Sequence, residues 1–159
     1  MNRWLARAAL LAVLMANMTA ALPFVLRPAD YAAGFELSGV PGEAAVRGIG
    51  VLFLMWAVPF IPALIHPVRY RVAFTCVLVM QVIGLAGEAL MLAGLPAGHA
   101  ALRATGLRFI AFDGAGLLVL LAGYGLTFHV SRFTYHVSRL TFHVLRFTFH
   151  TLRAPSGPP

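Results

Sequence analysis

A chain of 159 residues with 11% charged and 60% hydrophobic side chains, and a mean hydropathy of +0.85, is too apolar for a soluble enzyme or a disordered chain. All twelve basic residues are arginine; against five acids they give a net charge of +7. Four bilayer-crossing helices of about 20 residues would use about 80 positions, which this length accommodates.

The first apolar stretch covers 8–26 and contains Asn17 and Pro23. Arg3 and Arg7 before it, and Ala20 and Ala21 near its end, give it the outline of a signal peptide. The stretch is long, however, it lacks a clean A-x-A site and three more follow, so a retained anchor is expected. In the loop over 27–46, Pro28 followed by 29–35 predicts a short interfacial helix with Tyr31 and Phe35 one turn apart. Ser38-Gly39-Val40-Pro41-Gly42 reads as turn material. The second stretch, 48–65, carries Pro59 and Pro62 near its end and should bend there. The third, 72–94, contains Gln81 and Glu88; Leu95-Pro96-Ala97-Gly98 separates it from the fourth, 105–126, which contains Arg108 and Asp113. At 1.5 Å per residue each can cross about 30 Å of hydrocarbon. The expected fold is all-α: a four-helix transmembrane bundle over 1–126, a low-complexity tail over 127–153 and a disordered end over 154–159.

Arginine placement gives the expected orientation. With four spans, Arg3, Arg7, Arg69, Arg71 and the tail arginines share one side. Arg27, Arg47 and Arg103, with Arg108 at the boundary, share the other with Asp30, Glu36 and Glu43. The positive-inside rule then places both termini in the cytoplasm.

Ionisable groups within the spans form the candidate site: Arg47, Gln81, Glu88, Arg108 and Asp113. Gln81, Gly84 and Glu88 share one face of the third span, and Asp113, Gly116 and Gly123 share one face of the fourth. These faces are expected to meet, with Glu88 or Asp113 paired to Arg108 or Arg47. Arg108 and Asp113 lie about 140° apart round their helix, so they should not pair with each other. The cluster suits either a polar pocket for a small ligand, quinone headgroup or proton, or an ion pair that locks helices together.

No other catalytic constellation is present: Walker A, GxGxxG, HExxH and GxSxG motifs are all missing. Cys76, alone and flanked by apolar residues, is expected to be buried and inert. Gly48-Ile49-Gly50 is a close-packing signal. His66 and His99 are isolated loop residues, so neither a metal nor another cofactor is expected.

From Thr127 the chain repeats every seven residues as TFHVSRF, TYHVSRL, TFHVLRF and TFHTLR. Val130, Phe133, Val137, Leu140, Val144 and Phe147 form a formal coiled-coil seam, but the residues are mediocre helix formers and e/g charge pairing is missing. A strand would send alternate repeats to opposite faces. The seven-base unit TTTCACG, repeated, translates as Phe-His-Val-Ser-Arg-Phe-Thr, so the tail reads as a translated DNA repeat; the alternative is a selected segment whose arginines and aromatics adhere to the cytoplasmic leaflet. Its histidines would stand about 10.5 Å apart on a helix, too far to share a metal ion. The tail supplies four of the twelve arginines; without it the body carries +3, and no nucleic-acid partner is implied.

From about Trp4 to Leu126 the chain resembles the small four-helix bacterial membrane proteins of the DoxX-like and related uncharacterised families. The span layout, the Pro28–Leu37 segment and the Arg47-Gly48-x-Gly50 opening of the second span carry the resemblance. It implies a compact bundle in the bacterial inner membrane. Some DoxX-type proteins are subunits of quinone-linked redox complexes; one cysteine and no evident haem pair give no ground for carrying that chemistry over. The expected function is a non-enzymatic bundle that binds a membrane-protein partner, a second copy or a small ligand within the lipid bilayer. The alternative is a redox subunit or small transporter using the outer-leaflet polar cluster.

Overall fold

The computed structural model describes the backbone of residues 3–152 and side chains through Phe128. Helix α1 spans Arg3–Leu26 and buries Ala6, Ala9, Leu10, Val13, Asn17, Ala21 and Phe24. Steps of three and four residues place these on one stripe. The short α2 (Ala29–Ala32) and a 3-10 turn (Ala33–Phe35) follow, as the proline-led segment predicts. Helix α3 (Gly39–Ala57) begins nine residues before the expected span. The expected turn at 38–42 therefore shrinks to its first residue: Ser38 is extended and Gly39 opens the helix. Pro41 does not prevent this, because the first-turn N–H groups of a helix have no intrahelical acceptor to lose.

The helix breaks at Val58 and Pro59 and resumes as α4 (Phe60–Ile65), completing the second membrane-length segment. Helix α5 spans Arg71–Ala93, and α6 spans Ala100–Leu152. The stretch Ala100–Phe128 of α6 is the fourth segment apolar and long enough to cross a membrane. Its backbone stays helical into the seven-residue repeat; the repeat's side chains after Phe128, and the terminal 153–159, lie outside the described residues.

The four long helices alternate in direction. Arg7 ties the start of α1 to the end of α4, donating from Nε to Leu64 O at 3.0 Å and from Nη2 to Ile65 O. Those carbonyls end a helix and lack intrahelical donors. At the other end the first loop docks on the start of α6: Thr105 Oγ1 donates to Gly34 O at 2.7 Å, and Glu36 meets His99 at 2.5 Å. Glu36 Oε1 also accepts from Leu102 N at 3.2 Å, placing a carboxylate at a helix N-terminus, where free N–H groups and the dipole favour it.

Two apolar clusters fill the bundle. Near the arginine-rich end, Leu10, Val13, Phe60, Phe74, Val77 and Leu120 pack together. Near the loop-docking end, Phe24, Ala32 and Val46 pack with Phe35, Phe53 and Phe109. Large apolar side chains such as Val40, Val72, Leu90 and Leu118 remain exposed round the bundle. In a protein this small, such a surface requires lipid as its solvent, so the chain is a multi-pass membrane protein.

Candidate functional site

Between the two apolar clusters, α5 and α6 share a polar bond. Gln81 Nε2 donates to Asp113 Oδ1 at 2.8 Å and lies 3.3 Å from Asp113 O. Both residues are buried, at 3% and 5% exposure. Glycine makes the close approach possible on each side. A Cβ on Gly116 would lie 3.1 Å from Gln81 Nε2; one on Gly84 would lie 2.8 Å from Asp113 Oδ2. Each polar side chain thus rests over the glycine three residues after its partner. Trp56 of α3 closes the arrangement, its Cη2 only 2.6 Å from where a Gly84 Cβ would stand. Trp56 stacks on Phe53, which meets Phe109 edge-to-face, so an aromatic cluster borders the polar layer.

Glu88 follows Gly84 by one turn on the same helical face. Its Oε2 is buried and has no hydrogen-bond partner among the described residues. Asp113 is its electrostatic neighbour. The cluster therefore holds two carboxyl groups and one amide, with acceptor capacity to spare.

The faces containing Gln81 with Gly84 and Asp113 with Gly116 meet as their spacing predicts, but the expected arginine pairing is absent. Arg47 and Arg108 are both exposed, and neither forms an ion pair among the described residues. Arg108 lies too far round α6 from Asp113, and near a span end its long stem can carry the charge outward to water. The amide of Gln81 satisfies Asp113 instead. Gly123 also departs from expectation: it faces α1, where a Cβ would stand 2.8 Å from Ala9 Cβ. Cys76, expected to be buried, is exposed.

Three features escaped the sequence reading. Trp56 carried no signal beyond its aromatic character. The Glu36–His99 pair joins residues 63 positions apart, which local spacing cannot register. The hydrogen bond with His99, and then that with the Leu102 N–H, hold the Glu36 carboxyl below the usual carboxylate range. Arg71 Nε donates to Tyr124 OH at 2.8 Å, a contact between residues 53 positions apart that local spacing cannot register.

No group of three or more metal-ligating side chains occurs among the described residues. His99 is engaged by Glu36, while His66 Nδ1 accepts from Arg69 N at 3.0 Å. No family model matches this chain, and neither does any curated protein or solved structure.

Proposed function

We propose that this multi-pass membrane protein is a non-enzymatic binding bundle whose Glu88 region receives a hydrogen-bond donor from a small ligand or a partner helix. The supporting observation is the buried, unpartnered Glu88 Oε2. An unsatisfied polar group in hydrocarbon costs several kcal/mol, so a donor from outside the chain gives it a stable setting. Asp113 is already held by Gln81 and serves to position the helices. The bundle sits in a bacterial inner membrane with both termini cytoplasmic; support for that orientation comes from Arg3, Arg7, Arg69, Arg71 and the tail arginines on one side, against Arg27, Arg47 and Arg103, with Arg108 at the boundary, on the other.

A second reading, a DoxX-like subunit of a quinone-linked redox complex or a small transporter, draws support from the aromatic cluster beside the acids. Phe53, Trp56 and Phe109 pack against one another there and form an aromatic wall beside the carboxyls.

Purification from membranes, with retained proteins and small molecules identified by mass spectrometry, tests both. Wild type should retain a ligand or partner that Glu88→Leu loses while keeping its thermal stability in detergent. An identical retained set in wild type and Glu88→Leu would contradict the binding role of Glu88. A quinone in the retained set favours the second reading.

A further inference from the structure

At the arginine-rich end, a groove of about 620 Å³ runs along α5 beside α6. Its head is formed by Arg71 and Tyr124, and its walls by Val72, Cys76, Val79 and Met80. The nine-residue rise from Arg71 to Met80 corresponds to about 13.5 Å of helix, close to the depth of one leaflet's hydrocarbon. A cation therefore stands at the top of an apolar channel the length of a leaflet.

The cation is held in place without being neutralised. Arg71 Nε donates to Tyr124 OH, and the guanidinium lies 5.6 Å from the Tyr124 ring centre and 4.7 Å from that of Phe128. Thr75 Oγ1 stands 3.4 Å from the same hydroxyl. Arg71 forms no ion pair among the described residues. A guanidinium fork fixed in this way suits the oxygens of a phosphate. The surrounding charge favours the same occupant: Arg3, Arg7 and Arg69 lie at this end without an acid, whereas Arg27, Arg47, Arg103 and Arg108 toward the other are offset by Asp30, Glu36 and Glu43.

We propose that the α5–α6 groove is a binding site for one anionic phospholipid, with its phosphate on Arg71 and one acyl chain along Val72, Cys76, Val79 and Met80. A free phosphate would leave the apolar walls uncovered. A choline or ethanolamine headgroup would bring another cation into an arginine-rich setting. Basic grooves between membrane helices are a recurrent solution for holding acidic lipids.

The test offers equal amounts of phosphatidylglycerol and phosphatidylcholine to the full chain in mild detergent and counts retained lipid by native mass spectrometry. Wild type should retain phosphatidylglycerol preferentially. Arg71→Gln should lower that retention by about fivefold, the effect of one arginine on acidic-lipid attraction. Met80→Trp, which fills the channel at unchanged charge, should lower it as well. Arg108→Gln removes the same charge at the opposite end and should leave retention unchanged. Cys76 reports occupancy from within the groove: phosphatidylglycerol should slow its alkylation by N-ethylmaleimide in wild type and not in Arg71→Gln. Equal retention of both lipids, equal losses in Arg71→Gln and Arg108→Gln, or alkylation of wild type that ignores phosphatidylglycerol would each overturn the proposal.

Discussion

The α1–α3 and α5–α6 seams solve the same problem with different chemistry. Against α1, Gly50 of α3 admits bare backbone: a Cβ there would lie 2.8 Å from Val25 Cγ2 and 2.9 Å from Val25 N. Between α5 and α6, glycines admit polar side chains, and the Gln81–Asp113 bond crosses the gap. Lipid tails are as apolar as leucine, so helices in a bilayer gain little by burying leucine against each other. Close packing holds the first seam. At the second, a hydrogen bond also fixes which residues face each other.

Substitution at Gly50 should produce the largest effect, because the obstructing atoms include backbone that cannot move aside. Gly50→Leu is expected to cost about 3 kcal/mol in detergent unfolding, the upper range for overpacking. Gly48→Ala, two positions away with nothing within 4 Å of its Cβ site, should be neutral or stabilising by up to about 1 kcal/mol. Similar losses at both positions would remove the close-packing account of this seam.

Next in size is Gln81→Leu, which leaves Asp113 without its amide donor and should cost about 1–2 kcal/mol. Asp113→Asn retains an acceptor oxygen and should cost less in the same assay. Glu88→Gln should shift stability by under about 0.5 kcal/mol, since the carboxyl has no internal hydrogen bond to lose. A large loss there would turn Glu88 into a structural residue and sharpen the seam's polar character at the expense of the binding proposal.

The smallest effect belongs to the exposed Glu36–His99 contact, and it depends on pH. The folded Glu36 carboxyl titrates below its ordinary value of 4.5, so its stabilising contribution is complete above that value. It is lost as pH falls through the depressed folded value. The thermal midpoint of wild type should exceed that of Glu36→Gln at about pH 7, and the gap should shrink as the pH falls below 4.5. A gap that persists or widens in acid would contradict the carboxylate's role in docking the first loop.

Sequence patterning exposed the spans clearly and the site only in part. The spacing of Gln81 with Gly84, and of Asp113 with Gly116, brought two faces together correctly because helical periodicity is local. Spacing alone does not assign the partners across the gap, because the formal charge on Arg108 is a stronger attraction for a carboxylate than an amide is. In space, Arg108 lies on the wrong side of α6 and Gln81 lies opposite Asp113. The same limit explains Cys76: apolar neighbours in sequence indicate membrane, not which side of a membrane helix faces protein.

Composition and periodicity by themselves determined that this chain is helical, that it has four segments able to cross a bilayer, and that its high basic charge owes much to a repetitive tail. Those properties follow from residue type and spacing along one chain. Tertiary structure alone decided that Asp113 takes an amide rather than an arginine, that Glu88 is left without a donor, and that Arg71 heads an apolar groove. Each depends on which helix face lies opposite, and in a bilayer side-chain shape and hydrogen bonding select that face because hydrophobicity cannot.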